Sequence, residues 1–151
     1  IRYIRPECYP EPVFYDRVNP KVALMKLIPG ADCAMAEWLL QRNDALIVES
    51  FGVGGLPTYE EGSYYETIKA GLDQGKTVVM TTQVENEGSD LSVYQVGTHV
   101  KRNLPILEAY DMTTEAVTAK LMWILGRTQD RREVERLFYT PVAGDILWPA
   151  E

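Results

Sequence analysis

The sequence is poor in the side chains that most often carry chemistry: two cysteines and one histidine among 151 residues. Cys8 and Cys33 have no C-x-x-C spacing, so they form neither a disulfide framework nor a zinc site, and a reducing compartment fits them best. Long hydrophobic runs are also missing. The longest uncharged apolar stretches, such as Val22 to Met25 and Leu121 to Leu125, are far too short to cross a bilayer, and no membrane partner is expected. Basic residues do not cluster beyond Lys101-Arg102 and Arg131-Arg132, and the net charge is −7, so the electrostatic footprint of a nucleic-acid binder is absent and nucleic acid is not expected as a partner. There is no signal-peptide core and no lipidation signal. Starting at Ile1 rather than at a methionine, the sequence is expected to be a cloned domain or a processed piece.

What is present is ordinary for a folded protein. A hydrophobic content of 46% and a charged content of 25% suit one globular domain able to bury its own core. Residues 1–20 are rich in proline (Pro6, Pro10, Pro12, Pro20) and aromatics with no period, which reads as an extended interdomain arm. From 21 to 151 strands and helices alternate. Lys21 to Ile28, Ala45 to Phe51, Thr77 to Gln83 and Pro105 to Tyr110 read as strands. Helices are expected from an Asp32 cap to Asn43 with Met35, Trp38 and Leu39 inward, and from a Ser63–Glu66 capping box to Gly75. Further helices are expected over Ser92 to Asn103 with Val93, Val96 and Val100 inward, from Asp111 or Thr113 to Gly126, and from Asp130 to Tyr139. Trp38, Trp123 and the methionines are read as core. This order implies an α/β fold, a small doubly wound parallel sheet of about four strands with helices on both faces.

In open α/β sheets, ligands sit beyond the carboxyl ends of the strands. Those ends carry Glu49 and Ser50 with the loop Gly52-Val-Gly-Gly55, then Thr81, Thr82 and Gln83, then Tyr110 and Asp111. The glycine loop is not a dinucleotide fingerprint, because Pro57 stands where the third glycine is needed and the next helix begins only near Ser63. Ser50 is not a triad nucleophile: Val48 occupies the first glycine position of G-x-S-x-G, and His99 is the sole base of its kind. Glu85, Glu87 and Asp90 lack the spacing of a calcium loop and read as a solvated face. The edge therefore offers glycines, hydroxyls and amides but no complete catalytic set. No metal or organic cofactor is expected.

The stretches LIPG (Leu27 to Gly30), ALIVESFGVGGLP (Ala45 to Pro57), TVVMTTQ (Thr77 to Gln83), DMTTEAVTAKLMWILG (Asp111 to Gly126) and AGDI (Ala143 to Ile146) together resemble the carboxyl-terminal domain of L-asparaginases. The cytoplasmic, type I kind is the most similar, and the likeness runs from about Pro20 to Ile146. The resemblance implies an amino-terminal domain, elsewhere, that carries the nucleophilic threonine in a T-G-G-T motif together with a second threonine and an Asp-Lys pair; none of these is in this sequence. It further implies a homodimer or higher oligomer, L-asparagine as substrate, and a glycine loop that reaches the active site of a neighbouring subunit. Ser50, Gly52, Gly54 and Gly55 are accordingly expected near substrate, and no residue here is expected to be catalytic. Several relatives have Asn at the position of Gly55, so any contribution there comes from backbone. Some bacterial type I members have Arg where Glu49 stands, beside an allosteric asparagine site; a carboxylate opposes the same anionic group, and that effector site is not expected to operate. The alternatives are an amino-acid-binding or dimerisation module without catalysis, and part of the asparaginase-like subunit of glutamyl-tRNA amidotransferase.

Overall fold

A computed structural model describes residues 11, 13–57, 63–84, 86 and 88–147. The first strand, β1 (Val22–Lys26), leads into α1 (Cys33–Arg42) and then β2 (Ala45–Ser50). They are followed by α2 (Ser63–Asp73), β3 (Thr77–Thr82), α3 (Gln95–Asn103) and β4 (Leu107–Glu108). Two helices, α4 (Thr114–Leu125) and α5 (Arg131–Tyr139), complete the domain. All four strands are parallel and lie in sequential order β1-β2-β3-β4. The α/β fold with helices on both faces of a parallel sheet is as expected.

The two faces have separate cores. Leu46, Val48, Val78 and Met80 meet α1, α2 and α3 on one side. Ala45, Ile47 and Val79 meet α4 and α5 on the other. The period-2 alternation of β2 and β3 thus feeds both cores, which is why these strands read as continuous apolar runs. Among the described residues the strand order never reverses, so this sheet shows no switch-point crevice of the kind that dinucleotide-binding folds use.

Local signals account for most boundaries. The Asp32 carboxylate accepts from the Ala34 amide at 2.8 Å and starts α1. Of the two residues considered for α4, Thr113 is the cap and accepts from the Ala116 amide. Val117, Leu121, Ile124 and Leu125 form its buried stripe. Gly75 ends α2 with φ +81. The capping box at Ser63 depends on a side chain outside those described.

Three expectations are corrected. In α1, Met35 and Trp38 are 58% and 54% exposed, and Ala36 and Leu40 are buried instead. α1 lies so close to α2 that a Cβ on Gly71 would come 2.9 Å from Leu40, leaving room only for small residues and one leucine between them. Trp38 finds its partner on the same helix, with the Arg42 guanidinium 4.3 Å from its ring centroid. The third helix starts at Gln95 rather than Ser92, so Val93 falls in the preceding turn and is exposed, while Val100 is buried; the Val96 side chain lies outside those described. The fourth strand is reduced to Leu107–Glu108, because Pro105 has no N–H to give and Tyr110 turns the chain with φ +51.

Residues 13–19 contain neither helix nor strand. They nevertheless lie against α4. The Asn19 amide donates to the Met122 carbonyl at 2.8 Å, Tyr15 meets Trp123 edge-on, and Arg127 sits over both rings at 4.6 and 4.9 Å. The rest of the expected arm, residues 1–10 and 12, and with it Cys8, lies outside the described residues. No helix among the described residues is long and apolar enough to cross a membrane. Cys33 is a free thiol.

Candidate functional site

The glycine loop leaves β2 at the carboxyl edge of the sheet, and the last strand residue is committed to the sheet itself. Ser50 is fully buried, and its hydroxyl donates to the Thr81 carbonyl at 2.9 Å. Its own carbonyl accepts from the Gln83 amide at 3.0 Å. Ser50 therefore ties the ends of β2 and β3 together and presents no free hydroxyl. Next to it, the Thr82 hydroxyl donates to the Gly52 carbonyl and accepts from the Val84 amide. The Gln83 carboxamide donates to the Leu27 and Glu49 carbonyls at 2.6 and 3.1 Å, spanning the ends of β1 and β2. The polar residues crowding this edge hold the backbone in place.

Beyond that edge the chain turns in ways that require glycine. Gly52, Gly54 and Gly55 have φ of +49, +138 and +144. Their surroundings differ. Gly52 is exposed and Gly55 half-buried, whereas Gly54 is buried, with Leu91 occupying the space its Cβ would need, 2.8 Å away. Phe51 and Gly52 are exposed at the head of this loop, a ridge supported from beneath by the Gly54–Leu91 contact.

That support belongs to a strap over residues 88–91. The Asp90 amide donates to the Val53 carbonyl at 2.6 Å, and the Ser89 amide to the Tyr110 carbonyl at 2.7 Å. Glu108, a carboxylate at the end of β4 and only 3% exposed, accepts from the Leu91 amide at 2.6 Å. Its other oxygen is 2.8 Å from Lys101 Nζ, and its amide donates to the Tyr139 hydroxyl at 3.0 Å. Burial pulls Lys101 down, but the hydrogen bond and charge of Glu108 outweigh it and the amine stands above its ordinary value. Burial pushes the Tyr139 hydroxyl well above the ordinary tyrosine range. Sequence reasoning did not single out Glu108; its one signal was an acidic residue inside the apolar run ILEA.

The remaining carboxylates of this edge have partners of their own. Glu49 pairs with Lys26 at 3.2 Å and accepts from the Thr114 hydroxyl at 3.3 Å. Asp111 accepts from the Leu147 amide at 3.1 Å and so holds the carboxyl-terminal segment. The Asp90 carboxylate accepts from the Ser92 hydroxyl and amide, which hold its pKa below the ordinary value. Glu85 and Glu87 lie outside the described residues, and among the described residues no group of three or more His, Cys, Asp or Glu is placed to hold a metal. Two surface depressions of about 320 and 120 Å³ lie between α1 and α2 and at the opposite end of the sheet, beside Lys76 and Arg131. Neither is lined by residues 50–55.

Residues 21–138 match the glutaminase/asparaginase C-terminal domain, and the chain belongs to that family. It is 36% identical to an L-asparaginase of Thermococcus kodakarensis, over 90% of this chain and 40% of that protein. It is 32% identical to a glutamyl-tRNA(Gln) amidotransferase subunit of Pyrococcus furiosus, over 87% of this chain and 29% of that protein. Among solved structures, the thermostable L-asparaginase of T. kodakarensis superposes with a TM-score of 0.87 at 32% identity, covering 98% of this chain and 44% of that one. The chain spans less than half the length of these relatives.

Proposed function

We propose that this chain is the non-catalytic carboxyl-terminal domain of an L-asparaginase, which hydrolyses L-asparagine to L-aspartate and ammonia. The observation that carries this is the match to an L-asparaginase along 90% of the chain, which leaves the larger part of that relative outside it. The glycine ridge fits a role next to substrate. At Gly52 and Gly55 no side chain stands between the backbone and a neighbouring surface, so a small amino-acid substrate held on another domain can be approached closely. Ser50 serves by fixing where the ridge leaves the sheet. Catalysis follows a covalent acyl-enzyme on the absent threonine, then attack by water, with no metal or organic cofactor.

The partners are an amino-terminal asparaginase domain and a second copy of the protein. Exposed Val13, Phe14, Val18, Leu24 and Ile28 are apolar surface available for such contacts. The type I resemblance and the free Cys33 thiol support a cytoplasmic setting. Ammonia release from L-asparagine, measured for the chain alone and again with the separately expressed amino-terminal domain, tests the proposal: activity is expected only in the mixture.

A second reading, the asparaginase-like subunit of a glutamyl-tRNA amidotransferase, is favoured by the 32% identity to the P. furiosus amidotransferase protein. The two separate on what the reassembled protein does with ammonia. An asparaginase releases it to solvent, whereas an amidotransferase couples release to a second polypeptide and an aminoacyl-tRNA acceptor. The net charge of −7 gives direct tRNA contact no support.

A further inference from the structure

Glu108 takes no part in any chemistry assigned above, yet it is a carboxylate buried to 3% exposure, and such a group costs stability unless it is paired and hydrogen-bonded. It holds three elements at once. One oxygen accepts from the Leu91 amide, the other pairs with Lys101 of α3, and the peptide N–H donates to Tyr139 of α5. Leu91 is the last residue of the strap. Its side chain fills the space under Gly54, and its carbonyl lies only 2.4 Å from where a Cβ on Gly97 would stand, so Gly97 lets α3 close over it. The residue before it donates from its amide to the Val53 carbonyl. A continuous set of contacts thus runs from Glu108 through Leu91 and Asp90 to the backbone of the glycine ridge.

We infer that Glu108 is a positioning residue that fixes the conformation of the Gly52–Gly55 ridge through Leu91 and the 88–91 strap. That the ridge faces substrate rests on the function proposed above; the mechanical coupling does not. An apolar residue at 108 would leave the Leu91 amide without its acceptor. The strap would then be held only by the Ser89–Tyr110 bond and the buried Leu91 side chain, and the Val53–Asp90 hydrogen bond of the ridge would open more often.

Amide hydrogen exchange on the whole chain, resolved by residue, tests this without any substrate. In Glu108→Ala the amides of Leu91, Asp90 and Gly54 are expected to exchange faster together, on the order of ten- to a hundredfold, because a hydrogen bond to a charged acceptor is lost. In Glu108→Gln, which keeps an acceptor but not its charge, the same three amides should speed up by roughly three- to tenfold. Amides of α4 should be unchanged in the glutamine variant. Acceleration at Leu91 alone, with Gly54 and Asp90 as in the wild type, overturns the inference, as does no acceleration at all. If alanine releases every amide alike by unfolding the domain, the glutamine variant decides by the same criterion. Failure of asparaginase activity would leave this result standing, and failure of the exchange test would leave the proposed activity standing.

Discussion

Lys120 Nζ stands 2.8 Å from Asp145 Oδ2, with side chains only 4% and 15% exposed. The ammonium also donates to the Thr140 carbonyl at 2.8 Å. The pair binds the helix begun by DMTTEAVTAKL to the AGDI segment, so two stretches far apart in the sequence are one structural feature. Removing one partner leaves a buried charge uncompensated. Asp145→Ala is expected to cost about 3 kcal/mol or more. The double substitution Lys120→Met with Asp145→Ala should cost less than the sum of the single ones, read as urea unfolding midpoints.

The glycines of the ridge should respond unequally to alanine. Gly54→Ala places a Cβ 2.8 Å from a fully buried leucine, on a backbone with φ +138. It should destabilise the domain by about 2 kcal/mol or more. Gly52→Ala meets nothing nearer than 4.0 Å and bears only the left-handed backbone penalty at φ +49, about 1 kcal/mol. Denaturation curves of the two variants check the order; equal losses would mean that Leu91 does not support the ridge.

Tyr139 predicts an alkaline limit. Its folded pKa is raised above the unfolded value, first by burial, so the neutral hydroxyl is favoured in the native state. Its contribution is fully present below the unfolded tyrosine value of about 10 and is lost as pH rises beyond it toward the folded value. Stability should fall with pH above that point, and Tyr139→Phe should fall less steeply although it lacks the acceptor for the Glu108 amide. Unfolding free energies of both proteins across alkaline pH give the comparison.

Residues 13–19 are held to α4 by stacking and one backbone bond, so the arm should be ordered but separable. Tyr15→Ala removes an edge-on contact with Trp123, 5.3 Å between centroids, and one face of the Arg127 site. A loss of about 1 kcal/mol is expected. Protease cleavage within 13–19 should quicken while residues 21–138 stay intact; unchanged cleavage would show that the ring cluster does not hold the arm.

The parts of this fold legible in the sequence are those specified locally. Four apolar or β-branched runs mark the strands, and Asp32, Thr113 and Asp130 mark helix starts that their side chains do cap. Inward faces fail where tertiary packing chooses a small residue over a large one: Ala36 is buried and Trp38 is not, because α2 lies too close. Gly97 lowers the helix propensity of α3, and its reason, the Leu91 carbonyl, is a contact that no local pattern encodes. For the site, the glycine ridge and the polar strand ends are legible as loop and edge chemistry. The Ser50 hydroxyl reads as available for substrate and is instead bonded to Thr81, and the Glu108–Lys101 pair that supports the strap joins elements brought together only by the fold.

The central claim is that this domain completes an active site whose nucleophile it does not contain. The most direct test is the rate of ammonia release from L-asparagine by the pure chain, and by the chain reassembled with its amino-terminal domain, with Gly54→Ala run in parallel. The account predicts no turnover from the chain alone, turnover on reassembly, and a reassembled Gly54→Ala protein slower by roughly tenfold or more. Turnover by the isolated chain would contradict it, as would a folded, associated mixture that releases no ammonia.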